Sequence, residues 1–263
     1  MSIKYRNMLK SCLSILLIAC LVFIGGCDSA TPPESHNTAE YLLDGVLIKN
    51  LSNNQISVVA NVEKDNLAYG DVDFMFGSDT LIFNDSSAVV DSIYTFENNN
   101  ANSYPSGQIQ LSIDDSTFAV TRLSVNVPDT FSITSIVPTN GQWRPTDGVV
   151  SLNWSGSDLA ESYVIAIFNS NDNSQRYSEY AGELATTGNI PIDIFYTGIS
   201  VDTGLYYFYV YALSGTPDKS LADLYLPVDL PEQSENNISE NDIYGHFGTV
   251  VISDFDTLRV ITQ

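Results

Sequence analysis

The sequence predicts an all-β fold that consists of two β-sandwich domains in tandem. From Tyr41 onward, short segments rich in Val, Ile, Phe, Tyr and Thr alternate apolar and polar residues with a period of two, as half-buried strands do. Clusters of Asn, Asp, Gly and Ser separate these segments. Because proline cannot extend a central strand, Pro128 marks the predicted boundary between domains at 41–128 and 129–263.

The composition excludes several classes of protein. The 263 residues include 10 Lys+Arg and 32 Asp+Glu, which gives a formal net charge of −22. Phosphate backbones repel such a chain, so we expect no nucleic-acid partner. Hydrophobic residues make up 44% of the sequence, with 15 Tyr and 12 Phe, and this apolar content argues against disorder over most of the length.

The N-terminus has the pattern of an export signal. Lys4, Arg6 and Lys10 precede an apolar run at 11–24, which is shorter than the roughly 20 residues that a spanning helix needs. The run ends in Ile24-Gly25-Gly26-Cys27, which resembles the lipobox of bacterial lipoproteins. The resemblance implies a diacylglyceryl group on the Cys27 sulfur, cleavage before Cys27, and a fatty acid such as palmitate on the new α-amine.

We therefore expect a signal peptide at 1–26 and a lipidated, flexible tether at 27–40. A plain signal peptide with a chance cysteine is the alternative. All three cysteines lie in the first 27 residues, so the mature chain would keep only Cys27 and could form no internal disulfide. The expected location is the bacterial cell envelope, at the outer membrane or cell surface in preference to the inner membrane, with the periplasmic face left open.

The first predicted domain, 41–128, contains about seven short strands, enough for one sandwich. The clearest alternation places Ile56, Val58, Ala60 and Val62 on one face. Similar patterns are present at 71–76 and 108–113.

The second predicted domain resembles a fibronectin type III or related immunoglobulin-like domain. The residues that carry the resemblance are Pro138–Gly141, Val149–Trp154, Ser162–Phe168 and Thr203–Ala212. The resemblance implies that the following residues point into the core: Trp154, Tyr163, Ile165, Ile167, Tyr206, Phe208, Val210 and Ala212. The resemblance covers about 100 residues. In this family, a Leu-x-Pro-x-Thr sequence usually precedes strand F, but residues 200–204 differ from it. The resemblance therefore does not imply the tyrosine-corner hydrogen bond for Tyr206.

Two further features lie toward the C-terminus. A long acidic loop is predicted at 213–245, with one or two helical turns at 218–225. Residues 246–262 are predicted to form a closing strand or a hairpin, with a turn at Ser253–Asp256.

The chemistry-bearing residues do not form a recognisable catalytic motif. His246 is the only histidine outside the first 40 residues, and Gly-x-Ser-x-Gly and His-Glu-x-x-His motifs are absent from the sequence. The oxygen-rich segments 169–173 and 254–256 lack the glycine and distal glutamate of an EF-hand loop. We expect no enzyme, no catalytic or metal-binding residue, and no cofactor besides the covalent lipid on Cys27.

The candidate binding face lies on the outward side of two neighbouring strands. It combines Tyr207, Tyr209 and Tyr211 with Val164 and Phe168. Such an apolar patch is typical of a contact surface, although it could instead stabilise the sheet or be covered by the long loop.

These observations favour a lipid-anchored, non-enzymatic binding or structural module. The alternatives are a carbohydrate-binding surface lipoprotein and an accessory subunit of an envelope protein complex. The expected partners are accordingly the membrane, through the lipid, and an envelope protein or glycan. A hydrolase that uses a carboxylate pair would require two acids in one deep cleft.

Overall fold

The structure is a computed structural model that describes residues 41–262 except 65–66, 69–71, 77–78, 82–92, 114–120, 233–236 and 241–242. The predicted signal peptide, Cys27 and the predicted tether lie outside the described residues. Among the residues that the structure describes, no helix is both long and apolar enough to span a bilayer.

Up to Val127, the described chain forms strands with short connections. These strands are β1 (Tyr41–Asn50), β2 (Gln55–Lys64), β3 (Leu67–Ala68), β4 (Val72–Phe76), β5 (Asp79–Leu81), β6 (Ile93–Asn98), β7 (Gly107–Ile113) and β8 (Thr121–Val127). A 3-10 turn at Ala101–Ser103 precedes β7.

The remainder of the chain is also built mainly of strands. Its strands are β9 (Ile133–Val137), β10 (Gln142–Trp143), β11 (Val150–Trp154), β12 (Ser162–Asn169), β13 (Asp172–Gly182), β14 (Thr187–Ile190), β15 (Tyr196–Thr197), β16 (Ser200–Val201), β17 (Gly204–Gly215), β18 (Ile238–Glu240), β19 (Ile243–Ile252) and β20 (Asp256–Val260). Its helical segments are 3-10 turns at Pro145–Asp147 and Ile192–Phe195 and one short α-helix, α1 (Lys219–Ala222).

One long sheet extends through the molecule, and smaller sheets pack on it. Its path is β10-β20-β17-β19-β1-β2-β3, with β12 and β13 extending from β17, β6 on β2 and β18 on β19. The smaller sheets are β5-β4-β7-β8, β14-β11-β9 and the pair β15-β16. Ile109 and Val125 of the first small sheet and Leu152 of the second share one buried core with the long sheet. The predicted all-β sandwich fold is confirmed.

The arrangement differs from the predicted division at Pro128. Residues 39–263 form one compact unit. The cause is a parallel ladder between β1 and β19, which pairs Tyr41 with Ile243 and continues to Asn50 and Ile252. This ladder places the first strands of the unit in the same sheet as one of its last strands, so strands from both sides of Pro128 share a sheet.

The predicted inward faces of the strands are confirmed. Ile56, Val58, Ala60 and Val62 are each fully buried. The eight core residues implied by the fibronectin type III resemblance are all buried as well, and the rings of Trp154 and Tyr163 lie 5.7 Å apart. Alternation with a period of two identified these positions because one face of each strand packs against a second sheet.

A tyrosine-corner hydrogen bond is present although its usual sequence is not. The hydroxyl of Tyr206, which is 1% exposed, donates to the carbonyl oxygen of Asp202 at 3.1 Å. The backbone N–H of Asp202 donates in turn to the carbonyl of Phe195 at 2.9 Å, which holds this acceptor in place. A buried hydroxyl needs a hydrogen-bond partner. Because the acceptor here is a backbone carbonyl, the bond does not depend on the side chains of the usual sequence.

The predicted closing segment is an interrupted strand and not a hairpin. Both β19 and β20 pair with β17, one after the other, instead of with each other. Between them, the N–H of Ser253 donates to the carbonyl of Val210, and its hydroxyl oxygen accepts from the N–H of Val210, both at 3.0 Å. Asp254 and Phe255 are exposed at the interruption, where a turn was predicted.

The predicted loop at 213–245 is largely ordered structure. β17 continues to Gly215, β18 occupies part of the interval, and β19 begins at Ile243. Residues 216–232, here called the cover segment, contain α1 and lie on the outer face of the long sheet. The side chain of Asp218 begins α1 by accepting a hydrogen bond from the N–H of Leu221 at 2.8 Å.

Candidate functional site

The cover segment buries most of the face that the sequence marked as a binding surface. Val164 and Tyr211 are 0% exposed, and Tyr209 is 8% exposed. A second buried core forms between this face and the apolar side chains of the cover segment, namely Leu221, Ala222, Leu226, Val228 and Leu230. The prediction that Val164 and Tyr211 belong to an open binding face is therefore corrected. Of the alternatives weighed from the sequence, cover by the long loop is the one observed.

Tyr211 connects the cover segment to the sheet through hydrogen bonds. Its hydroxyl donates to the carbonyl oxygen of Val228 and accepts from the N–H of the same residue, each at 3.1 Å. One phenol thus satisfies both backbone groups of a buried residue. Burial, as the largest cause, raises the pKa of Tyr211 above its usual value, and the hydrogen bond to Val228 opposes this only in part.

The raised pKa predicts a loss of stability at alkaline pH. Tyr211 ionises near pH 10 in the unfolded chain but only at higher pH in the folded one, so its stabilising contribution is complete below pH 10 and is lost as the pH rises further. The free energy of unfolding of the Tyr211→Phe variant should fall less steeply with pH, by up to about 1.4 kcal/mol per pH unit. Urea unfolding at a series of pH values above 10 measures this slope; equal slopes for the two proteins would contradict the prediction.

Beyond the cover segment, four aromatic side chains form a cluster. Phe168 stacks on Tyr207 with ring centroids 5.0 Å apart and on Tyr209 with centroids 6.1 Å apart. The ring of Phe255 meets those of Tyr207 and Tyr209 at 5.2 and 5.9 Å. Phe168 and Tyr207 are half-buried, and Phe255 is 48% exposed. These four residues are called the aromatic cluster below.

The strand interruption places Phe255 in this cluster. In a continuous strand, β19 would lead directly into β20, whereas residues 253–255 separate the two here. The sequence analysis missed Phe255 because it assigned the residue to a turn. An aromatic residue between two acids, Asp254 and Asp256, was the available signal.

Charged groups lie beside the aromatic cluster. Arg176 is the cross-strand neighbour of Phe168 on β13, and its guanidinium lies 3.6 Å from the carboxylate of Asp229 in the cover segment. Burial, and to a lesser extent the neighbouring Tyr207, raises the pKa of Tyr209. Ionic groups therefore lie at the edge of the aromatic cluster.

The oxygen-rich segment at 169–173 forms a tight connection between β12 and β13. Asn169 is 2% exposed, and its side-chain oxygen accepts from the N–H of Asn171 at 3.0 Å. Its side chain also lies against Gly204, where a Cβ would come within 2.6 Å of the amide oxygen. Asn169 therefore supports the turn between the two strands.

No family model matches the sequence, and no curated protein matches it either. The FN1–FN3 domains of chicken CNTN1 are similar at 13% identity and a TM-score of 0.25, over 82% of this chain and 63% of that one. A Ca²⁺-stabilized, ice-binding adhesin of an Antarctic bacterium is similar at 11% identity and a TM-score of 0.25, over 85% and 49%. A two-domain fibronectin type III segment of chicken tenascin is similar at 11% identity and a TM-score of 0.23, over 61% and 85%.

The chain spans less than two thirds of the length of the first two of these structures. Its own geometry therefore has to carry any functional argument. On the outer face of the long sheet, the described residues place the aromatic cluster partly open to solvent.

Proposed function

We propose that the chain is a lipid-anchored, non-enzymatic binding module of the bacterial cell envelope that contacts another envelope protein through the aromatic cluster. The proposal rests on the partial exposure of the aromatic cluster. Aromatic and arginine side chains are enriched at the centres of protein interfaces, and exposed apolar patches are typical of such contacts. In this cluster, Phe255 is 48% exposed.

The stacking within the cluster favours a protein partner over a glycan. The rings of Phe168 and Tyr207 are nearly parallel, with an interplanar angle of 6°, so each covers a face of the other. A sugar ring requires an open aromatic face, whereas a protein side chain packs equally well against ring edges. The net charge of −22 further favours a partner with a basic surface around the contact.

The anchor would hold this surface near the membrane. The motif Ile24-Gly25-Gly26-Cys27 supports lipidation at Cys27, and the first strand begins at Tyr41. A flexible tether of this length has a root-mean-square span of about 20 Å. The folded unit would therefore reach partners within or close to the same membrane, at the outer membrane or cell surface in preference to the inner membrane.

Site-specific photocrosslinking tests the proposed contact surface. Phe255 is replaced by benzoylphenylalanine in cells, and the same replacement at Ile199, which is 100% exposed in the turn between β15 and β16, is the matched control. We expect one reproducible protein adduct from position 255 and none from position 199. Absence of an adduct at 255, or the same adducts at both positions, would contradict the proposal. An adduct whose added mass is removed by glycosidases would contradict a protein contact and favour the carbohydrate-binding alternative.

A further inference from the structure

Three potential metal ligands from distant parts of the chain meet at one end of the cover segment. Asp44 lies on β1, His246 on β19, and Asp218 directly before α1. One ligand atom from each of the three side chains lies within 4.8 Å of the other two. All three residues are half-buried, so the group is neither enclosed in the core nor free in solvent.

The parallel ladder fixes the first two ligands. Asp44 and His246 are register partners, and one carboxylate oxygen of Asp44 accepts from the backbone N–H of His246 at 3.0 Å. The same oxygen lies 3.0 Å from Nδ1 of His246. The preceding Gly245 has a φ of 140°, and a Cβ there would come within 2.2 Å of the carbonyl oxygen of Leu43. Glycine at this position therefore permits the close approach of the two strands.

The cover segment supplies the third ligand. The N–H of Asp218 donates to the carbonyl oxygen of Gly45 at 3.1 Å, which ties this residue to β1. One carboxylate oxygen of Asp218 caps α1 by accepting from the N–H of Leu221. The same carboxylate contributes one oxygen to the group of three ligand atoms. Lys219, which follows Asp218 in the chain, forms an ion pair with Asp223.

The group borders a cleft through which an ion can enter. The cleft has a volume of about 360 Å³, and Asp218, Asp223, Glu232 and His246 contribute to its wall. The side chains of Asp44 and His246 are 21% and 31% exposed. An entry path and preorganised ligands are two properties that a metal site requires.

We propose that Asp44, Asp218 and His246 bind a divalent transition-metal ion, with Zn²⁺ as the fitting ion. One imidazole and two carboxylates match the ligands that Zn²⁺ takes, whereas Ca²⁺ and Mg²⁺ prefer oxygen ligands alone. At an ion about 2.1 Å from both atoms, the 3.0 Å separation of Nδ1 and the Asp44 oxygen corresponds to an angle of about 90°, which fits a site that water ligands expand beyond four-coordination. Water would complete the coordination. The bound ion would join β1, β19 and the cover segment, independently of what contacts the aromatic cluster.

Calorimetric titration of the full chain in detergent micelles with ZnCl₂, after treatment with a chelator, tests the site. We expect one Zn²⁺ per chain with micromolar or tighter affinity and no heat from Mg²⁺. His246→Gln should weaken binding by at least about tenfold. The chain has two histidines, so His36→Gln is the matched control and should bind as the unmodified chain does.

A second variant separates ligand loss from misfolding. Asp218→Asn keeps a side-chain oxygen that can cap α1 but removes the charge. We expect an unchanged melting temperature without metal and at least about fivefold weaker Zn²⁺ binding. Saturating Zn²⁺ should raise the melting temperature of the unmodified chain by about 5 °C and that of the variant by less. The proposal would be overturned if the unmodified chain showed no saturable binding up to about 100 μM Zn²⁺. It would also be overturned if His246→Gln or Asp218→Asn bound Zn²⁺ as tightly as the unmodified chain does.

Discussion

Replacement of Cys27 by alanine is expected to release the protein from the membrane almost completely. The lipobox resemblance predicts that the acyl chains are attached at this residue, and each buried methylene contributes about 0.8 kcal/mol to membrane binding. Without them, the processed chain from residue 27 onward has no attraction to anionic headgroups, because loss of Lys4, Arg6 and Lys10 with the signal peptide leaves it a formal net charge of −25. Detergent phase partition measures the effect, and the protein should move from the detergent phase to the aqueous phase.

Cys20→Ala is the matched control for the anchor. Cys20 lies in the segment that is expected to be removed with the signal peptide, so this variant should partition with the detergent as the natural chain does. Metabolic labelling with an alkyne-bearing fatty acid should mark Cys20→Ala but not Cys27→Ala. A Cys27→Ala protein that still carries the label, or that stays in the detergent phase, would contradict lipidation at Cys27.

Among single substitutions of residues that contact the cover segment, Tyr211→Ala should cause the largest loss of stability. The side chain is 0% exposed, and its hydroxyl satisfies both backbone groups of Val228. The variant creates a cavity, which costs about 3–5 kcal/mol for a large aromatic residue, and leaves two buried polar groups without their partner. Equilibrium unfolding in urea should show a loss of at least about 4 kcal/mol.

Tyr244→Ala is a suitable control because Tyr244 is 42% exposed on the neighbouring β19. Its substitution should cost less than about 1 kcal/mol. Amide hydrogen exchange adds a local readout, since the N–H of Val228 should exchange much faster in Tyr211→Ala. A loss below about 1 kcal/mol, with unchanged protection of Val228, would contradict the role given to the cover segment.

The inward faces of the strands were predictable from the sequence, whereas the outer face was not. Residues such as Ile165 and Phe208 follow a local period of two, and burial on one side of a strand leaves that pattern in any sandwich. Tyr211 lies in the opposite phase, and its environment depends on the cover segment, which ends 21 residues later at position 232. The cover segment contains prolines and acids that indicate a loop, although Leu221, Leu226, Val228 and Leu230 were a signal that it packs on something apolar.

Long-range pairing accounts for the other differences. Asp44 and His246 are 202 residues apart in sequence, and neither shows a motif that indicates its neighbour. The parallel ladder between β1 and β19 brings them together and also places strands from both sides of Pro128 in one sheet. Local patterns define strands, but they do not specify which strands pair across the length of a chain.

The proposed contact between the aromatic cluster and an envelope protein can be measured in cells by photocrosslinking from a position beside the cluster. Benzoylphenylalanine at Thr257, the cross-strand neighbour of Tyr207 on β20, reports contact without removing a ring from the cluster. Because a central interface residue commonly contributes 2 kcal/mol or more, Tyr207→Ala should lower the yield of the protein adduct by at least about tenfold. Ile199→Ala should leave the yield unchanged. An adduct that forms equally well in the Tyr207→Ala protein would contradict the account.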